Sequence, residues 1–188
     1  MGIFRIIKKA LVDFFGNIKL YTGGIVFFGD SGLGLKGPDW REILDIIKPG
    51  DLVLNEHKNY VSSMFIKGKF GHVGLYVGDN NLIHVIGDGI DKQDILTFLR
   101  ADGAAVVRPK NQELVSKAIE RAYIQLEKDV QYDYDFDKQD TNQFYCSEFT
   151  DFCYGYILRE GVSKDKSFIL PDDYTIAYDD FEVVWNKK

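Results

Sequence analysis

The residues best suited to nucleophilic and acid–base chemistry are two cysteines, Cys146 and Cys153, and three histidines, His57, His72 and His84. Cys146 follows the turn-prone run Asp140-Thr141-Asn142-Gln143 and stands where a helix is expected to begin. Unpaired N–H groups and the positive end of the helix dipole stabilise a thiolate at such a position. A neighbouring imidazole would complete a thiolate–imidazolium pair, the nucleophile of cysteine hydrolases. Cys153 lies two turns further along the expected helix, about 10.5 Å away, beyond the Cα separation that a disulfide tolerates. It reads as a buried core thiol. No CxxC pair is present, so neither a zinc ribbon nor a thioredoxin-type site is expected, and the reading assigns no metal site and no cofactor.

The histidines are positioned by a predicted β-hairpin, HVGLYVG (72–78) and LIHVI (82–86), around Asp79-Asn80-Asn81. Val73, Leu75, Val77, Ile83 and Val85 fall on one face by alternation, which sends His72, Tyr76 and His84 to the other. Parity leaves the register open. A three-residue loop pairs Tyr76 with His84 and leaves His72 roughly 13 Å along the strand. A wider loop, or a bulge centred on Gly78, would bring the imidazoles level. His57, in Glu56-His57-Lys58-Asn59, reads as a solvent-exposed loop histidine.

Other elements follow from periodicity. Strands are expected at 25–28, 51–54, 104–108 and 181–185, and a short helix at 40–48 that stops at Pro49-Gly50. A helix over about 113–128 puts Leu114, Ala118, Ile119, Ala122, Tyr123 and Leu126 on one face. The Cys146 helix is expected to run to Arg159 and end at Gly161. Short strands followed by helix, loop and helix indicate an α+β fold rather than repeated βαβ units.

Three motifs mislead. Gly29-Asp30-Ser31-Gly32 resembles a serine-protease nucleophile loop, but every histidine lies after Ser31. Gly32-Leu33-Gly34-Leu35-Lys36-Gly37 matches GxGxxG without the parallel βαβ pattern that a dinucleotide fold requires. Asp133, Asp135 and Asp137 alternate like a calcium loop, yet Lys138 and Phe144 stand where glycine and a bidentate glutamate are needed. The alternating Tyr/Asp run reads instead as a strand with one buried and one solvated face.

Composition sets the remaining bounds. A chain of this length, 45% hydrophobic and 28% charged, is one globular domain with room for a small appendage. Its net charge of −6 argues against non-specific nucleic-acid binding. Arg5, Lys8, Lys9 and Lys19 against Asp13 give +3 over residues 1–20, leaving −9 for the rest. Ile3, Ile7, Leu11, Phe14, Phe15 and Ile18 recur there at helical spacing. Such a basic amphipathic helix can lie on an anionic membrane surface or dock on its own domain. Residues 1–37 are therefore read as an amphipathic helix and Gly-rich linker, and 38–188 as the main domain. No apolar run nears the ~20 residues of a membrane span, and charges interrupt any leader-like stretch. A cytoplasmic protein is expected, with residues 1–20 as the one segment that could contact a membrane surface.

The string GHVGLYVGDNNLIHVIG (71–87), followed far downstream by FYCSEFTDFCY (144–154), resembles the circularly permuted papain-like cysteine amidases, the YiiX-like branch of the NlpC superfamily. Pro49-Gly50-Asp51-Leu52-Val53 and YDYDF (132–136) share the resemblance, which spans roughly residues 40–160. It implies a papain-like fold with a small antiparallel sheet and packed helices. Cys146 is then the nucleophile, His72 the general base, and His84 the polar third residue that orients His72. In the permuted branch that third residue is often Glu. Tyr145 is a candidate for shaping the pocket or assisting the oxyanion. The implied activity is hydrolysis of an amide bond in a peptide, an amino-acid conjugate or an N-acyl compound. A lipid-directed thiol acyltransferase or hydrolase, and a non-catalytic binding module on the same fold, are the competing readings.

Overall fold

The computed structural model describes residues 34–58, 68–128, 130–136 and 142–187, together with Ile7, Ala10, Leu11 and the backbones of 18–21 and 24–27. Ile7, Ala10 and Leu11 are helical and exposed. The expected amphipathic helix otherwise falls outside the described residues, except at its end. There Ile18–Tyr21 (β1) pairs antiparallel with Gly24–Phe27 (β2), so Ile18 is in a strand and not in the helix. IKLY and GIVF are four-residue runs rich in β-branched and aromatic residues, and each satisfies the other's backbone by pairing.

A six-stranded antiparallel sheet organises the rest, in the order β10-β7-β3-β4-β5-β6. Its strands are Leu52–Glu56 (β3), His72–Gly78 (β4), Asn81–Ile86 (β5), Gly89–Asp94 (β6), Gly103–Pro109 (β7) and Phe181–Asn186 (β10). Because successive side chains alternate, the central strands are buried on both faces. One face carries Leu52, Leu54, Val73, Leu75, Ile83, Val85, Ala105 and Val107. The helices Val115–Leu126 (α3) and Cys146–Cys153 (α4) cover it. The other face carries Val53, Tyr76, Leu82, Ala104 and Val106 under Gly37–Ile46 (α1) and Ile95–Phe98 (α2). Leu35 is buried in this second core, and its N–H donates to the Ala101 carbonyl at 3.1 Å.

Several expectations are corrected. The 113–128 segment forms a 3-10 turn at Gln112–Leu114 and then α3. Ala118 and Ala122 are buried as expected, but Tyr123 is exposed and Gln125 is the next buried position. The Tyr/Asp run makes only a two-residue strand, Gln131–Tyr132 (β8), parallel to Gln143–Phe144 (β9), and Asp133 is fully buried rather than solvated. His57 is half-buried.

The Cys146 helix ends at Cys153 and not at Arg159. Gly155 (φ +79°) and Tyr156 (φ +68°) turn the chain through the left-handed region before a short helix, Ile157–Glu160 (α5), begins. The break is held by Asp151, whose carboxylate accepts the N–H groups of Leu158 at 2.6 Å and Arg159 at 3.1 Å. A last short helix, Asp173–Ile176 (α6), precedes β10.

The Pro49-Gly50-Asp51 corner is tied down from two sides. Arg108 grips Asp51 with two hydrogen bonds, Nε to Oδ1 at 2.8 Å and Nη2 to Oδ2 at 2.7 Å, a geometry suited to the planar guanidinium. The Tyr154 hydroxyl donates to the Gly50 carbonyl, which joins the corner to the end of α4. Gly50 has φ +95°, and a Cβ there would meet Val115 Cγ1 at 2.6 Å. Both facts call for glycine.

Candidate active site

The hairpin carrying the histidines closes more tightly than a three-residue loop. Asp79 (φ +50°) and Asn80 (φ +58°) make a two-residue turn with both residues in the left-handed region, a conformation that Asp and Asn tolerate. Leu75 pairs with Ile83 and Tyr76 with Leu82, and the register then shifts between Tyr76 and Gly78. The irregularity is the bulge that the sequence allows near Gly78, and the parity of the strands is as expected. The imidazoles are not level, but they need not be. His72 Nε2 lies 2.8 Å from His84 Nδ1.

Gly74 is what lets them touch. It stands between the two histidines on that face of the sheet, and a Cβ there would meet Leu82 Cδ1 at 2.9 Å and His84 Cβ at 3.3 Å. Phe98 from α2 packs against both rings, at centroid distances of 5.4 and 5.3 Å. On the adjacent strand, Asp91 is the direct cross-strand partner of His84, with Oδ2 3.8 Å from His84 Nε2. Burial depresses both histidines. His72 falls well below its ordinary value, and the adjacent His84 pushes in the same direction. His84 is lowered to about 4 by burial, with Asp91 pulling the other way.

Cys146 is the first residue of α4, with Tyr145 at the N-cap. Its helix packs on the sheet face opposite the histidines. The two sides meet at the start of β4, where Gly71, His72 and Cys146 line one cavity of about 230 Å³. The residue after His72 also reaches the sulfur. The backbone N–H groups of Val73, Ser147 and Cys146 itself favour a thiolate, while burial works against it and raises the thiol overall. Cys153 is fully buried and its thiol is raised by burial. The two cysteines are both free, as the spacing requires.

Tyr145 is on the cavity wall, and its hydroxyl accepts the Ile169 N–H at 2.9 Å. The Ser147 hydroxyl donates to the carbonyl of the same residue at 2.9 Å. Asp172 accepts the N–H groups of Lys69 and Phe70, at 2.9 and 3.0 Å, and so anchors the approach to β4. Sequence reasoning missed the rest of the wall: Tyr132, Phe136, Phe168, Leu170 and Pro171. The aromatic density of 132–136 was the available signal, but periodicity assigned it to a strand. Glu148, two residues beyond Cys146, is fully buried, and Arg159 Nη2 donates to its Oε1 at 2.7 Å. Among the described residues, no group of three or more His, Cys, Asp or Glu is arranged to hold a metal ion.

A sheet that delivers paired imidazoles early in the chain, and a helix that presents a cysteine late in it, make a papain-like architecture in permuted order. The comparisons agree. Residues 46–184 match the permuted papain-like amidase enzyme family, YaeF/YiiX, C92, and the chain belongs to that family. Its members are amidases of the papain-like kind, so the class is that of cysteine hydrolases. Among solved structures, the chain is similar to one described as the metalloprotein yiiX from Escherichia coli O157:H7. The TM-score is 0.57 at 16% identity, over 74% of this chain and 97% of that one, which is a likeness of fold. A search among curated proteins found no match.

Proposed function

We propose that this protein hydrolyses an amide bond, with Cys146 as nucleophile, His72 as the general base and acid, and His84 as the residue that orients His72. One observation carries the reading: Cys146 and His72 border the same cavity, and His72 Nε2 lies 2.8 Å from His84 Nδ1.

The hydrogen-bond chain dictates the tautomers. If His72 is to accept a proton on Nδ1, its Nε2–H must donate to His84 Nδ1. His84 then carries its own proton on Nε2, facing Asp91. In this arrangement the cysteine proton passes to His72 Nδ1 as sulfur adds to the substrate carbonyl. His72 returns it to the amine as the C–N bond breaks, and a water then hydrolyses the thioester. Burial disfavours an isolated thiolate and an isolated imidazolium alike, so the two charges form together, beside one another. The Cys146 N–H, at the positive end of α4, is aligned with the helix dipole and is the first donor for the oxyanion. Tyr145 contributes through the cavity wall.

Alkylation by iodoacetamide tests this directly. Cys146 should react in the native protein and Cys153 should not, as read by peptide mass mapping. In His72→Ala the Cys146 rate at pH 7 should fall at least tenfold. Equal labelling of both cysteines, or an unchanged rate in His72→Ala, would remove the pair from the mechanism.

A further inference from the structure

We propose that Asn55 is a positioning residue of the reaction, its amide oxygen being the acceptor across the sheet that favours the His72 imidazolium when Cys146 gives up its proton. This rests on the thiol-hydrolase reading. The cysteine proton moves to His72 Nδ1 as sulfur bonds to the acyl carbon, and it leaves with the amine as the C–N bond breaks. His72 is therefore neutral before and after these transfers and positively charged between them. Its surroundings oppose that charge. Burial disfavours it, and so do the neighbouring imidazoles of His84 on β5 and His57 just after β3.

Asn55 and His72 are direct partners in the pairing of β3 with β4. Their side chains therefore leave the same face of the sheet, with Cβ atoms about 5 Å apart. Asn55 is 2% exposed. Its Nδ2 donates to the Phe98 carbonyl at 2.5 Å, which fixes the amide and leaves Oδ1 on the other side of it. Oδ1 is buried and, among the described residues, has no hydrogen-bond partner. A buried acceptor without a donor is a cost that folded proteins rarely leave standing. The reaction gives it a use, because a fixed dipole beside a charge that develops later stabilises that charge without reorganising. The same amide braces the pair mechanically. Phe98, held through its carbonyl, packs its ring against His72 and His84. The other titratable groups around His72 do not fill this role. Asp91 on β6 is the partner of His84 and stands beyond it. Cys146, Tyr132 and Tyr145 share the cavity with His72, and burial keeps both phenols un-ionised.

The test is the rate of Cys146 alkylation by iodoacetamide in the full chain at pH 6.5 and at pH 10. The first rate reads the thiolate that an imidazolium stabilises, and the second the thiolate that alkali makes without one. Asn55→Leu, of similar volume, removes both the donor and the acceptor. Asn55→Asp removes the donor and keeps an acceptor. We expect the pH 6.5 to pH 10 ratio to fall at least threefold in Asn55→Leu and to stay at or above the wild-type ratio in Asn55→Asp. Hydrolysis of p-nitrophenyl acetate at pH 6.5, with Cys146→Ala subtracted as background, should rank the variants in the same order. An equal fall in both variants would mean that only the tie to Phe98 matters, and an unchanged ratio in Asn55→Leu would mean that the acceptor is idle. Either result overturns the proposal and leaves the hydrolase standing. If Asn55→Leu does not fold, Asn55→Asp decides alone, and a ratio below wild type overturns the proposal. If Cys146 resists alkylation, or His72→Ala leaves the ratio unchanged, the hydrolase reading fails and the role of Asn55 fails with it.

Discussion

The two ends of the Cys146–Cys153 helix hold the same pair of groups, a thiol and a buried carboxylate, in opposite circumstances. At the first turn Cys146 borders a cavity, and Glu148 meets Arg159 through one oxygen. Among the described residues the other oxygen, Oε2, has no hydrogen-bond partner. At the last turn Cys153 is sealed in the core, and both oxygens of Asp151 accept backbone N–H groups of the next helix. The carboxyls differ accordingly. Burial raises Glu148 to about 8, against the pull of Arg159. It raises Asp151 only to about 6, because the Leu158 and Arg159 N–H groups favour its charge. The C-terminal end is a satisfied structural joint. The N-terminal end keeps polar groups incompletely paired, as sites that do chemistry commonly do. The functional groups are the same at both ends, a thiol and a carboxylate, and their surroundings differ.

Substitutions at the two ends should therefore fail in different assays. The largest contrast is between the thiols. Cys146→Ala should abolish ester turnover and shift the urea midpoint little, by less than about 1 kcal/mol in stability. Cys153→Ala should keep most turnover and lose about 1–2 kcal/mol, since it removes a packed core atom. If Cys153→Ala is the inactive variant, the division of the helix is wrong. Next is Asp151→Ala, which strips two buried N–H groups of their acceptor and should cost about 2–3 kcal/mol by chemical denaturation. Loss of less than half of that would mean that the α4–α5 joint is held elsewhere.

The smallest effect is a pH dependence at Glu148. Its pKa of about 8 in the folded chain lies above its ordinary value of 4.5. Between those values the folded state binds a proton that the unfolded state lacks, so this group destabilises the fold as pH rises through that window. The wild type should gain stability relative to Glu148→Gln as pH falls from 8 towards 4.5. A constant difference across that range would show that Arg159 keeps Glu148 ionised throughout.

Legibility followed periodicity. β4 alternates, and β5 and β7 are short, nearly continuous apolar runs of strand length, so all three were readable, as was the parity that groups His72 with His84. β6, GIDKQD, is a polar edge strand with no apolar alternation, and only its pairing with β5 makes it a strand. The joint at Gly155 is hidden because the apolar positions of 146–159 suit one continuous helix, while the Asp151 contacts that end it exist only after folding. The cavity wall was the least visible part. Tyr132, Phe136, Phe168, Leu170 and Pro171 come from segments without regular spacing, brought together by the chain's return past α4. His72–His84 contact also depended on a residue that sequence pattern ignores, the missing side chain of Gly74. No helix among the described residues is long and apolar enough to cross a membrane.

The pair of hydrogen bonds to Ile169 has an evolutionary corollary. Tyr145 and Ser147 grasp the main chain at that position, which any residue except proline supplies in full. The side chains on either side, Phe168 and Leu170, can then be exchanged without unseating the sulfur. Relatives could vary the cavity lining through those two positions while the start of α4 stays under one constant clamp.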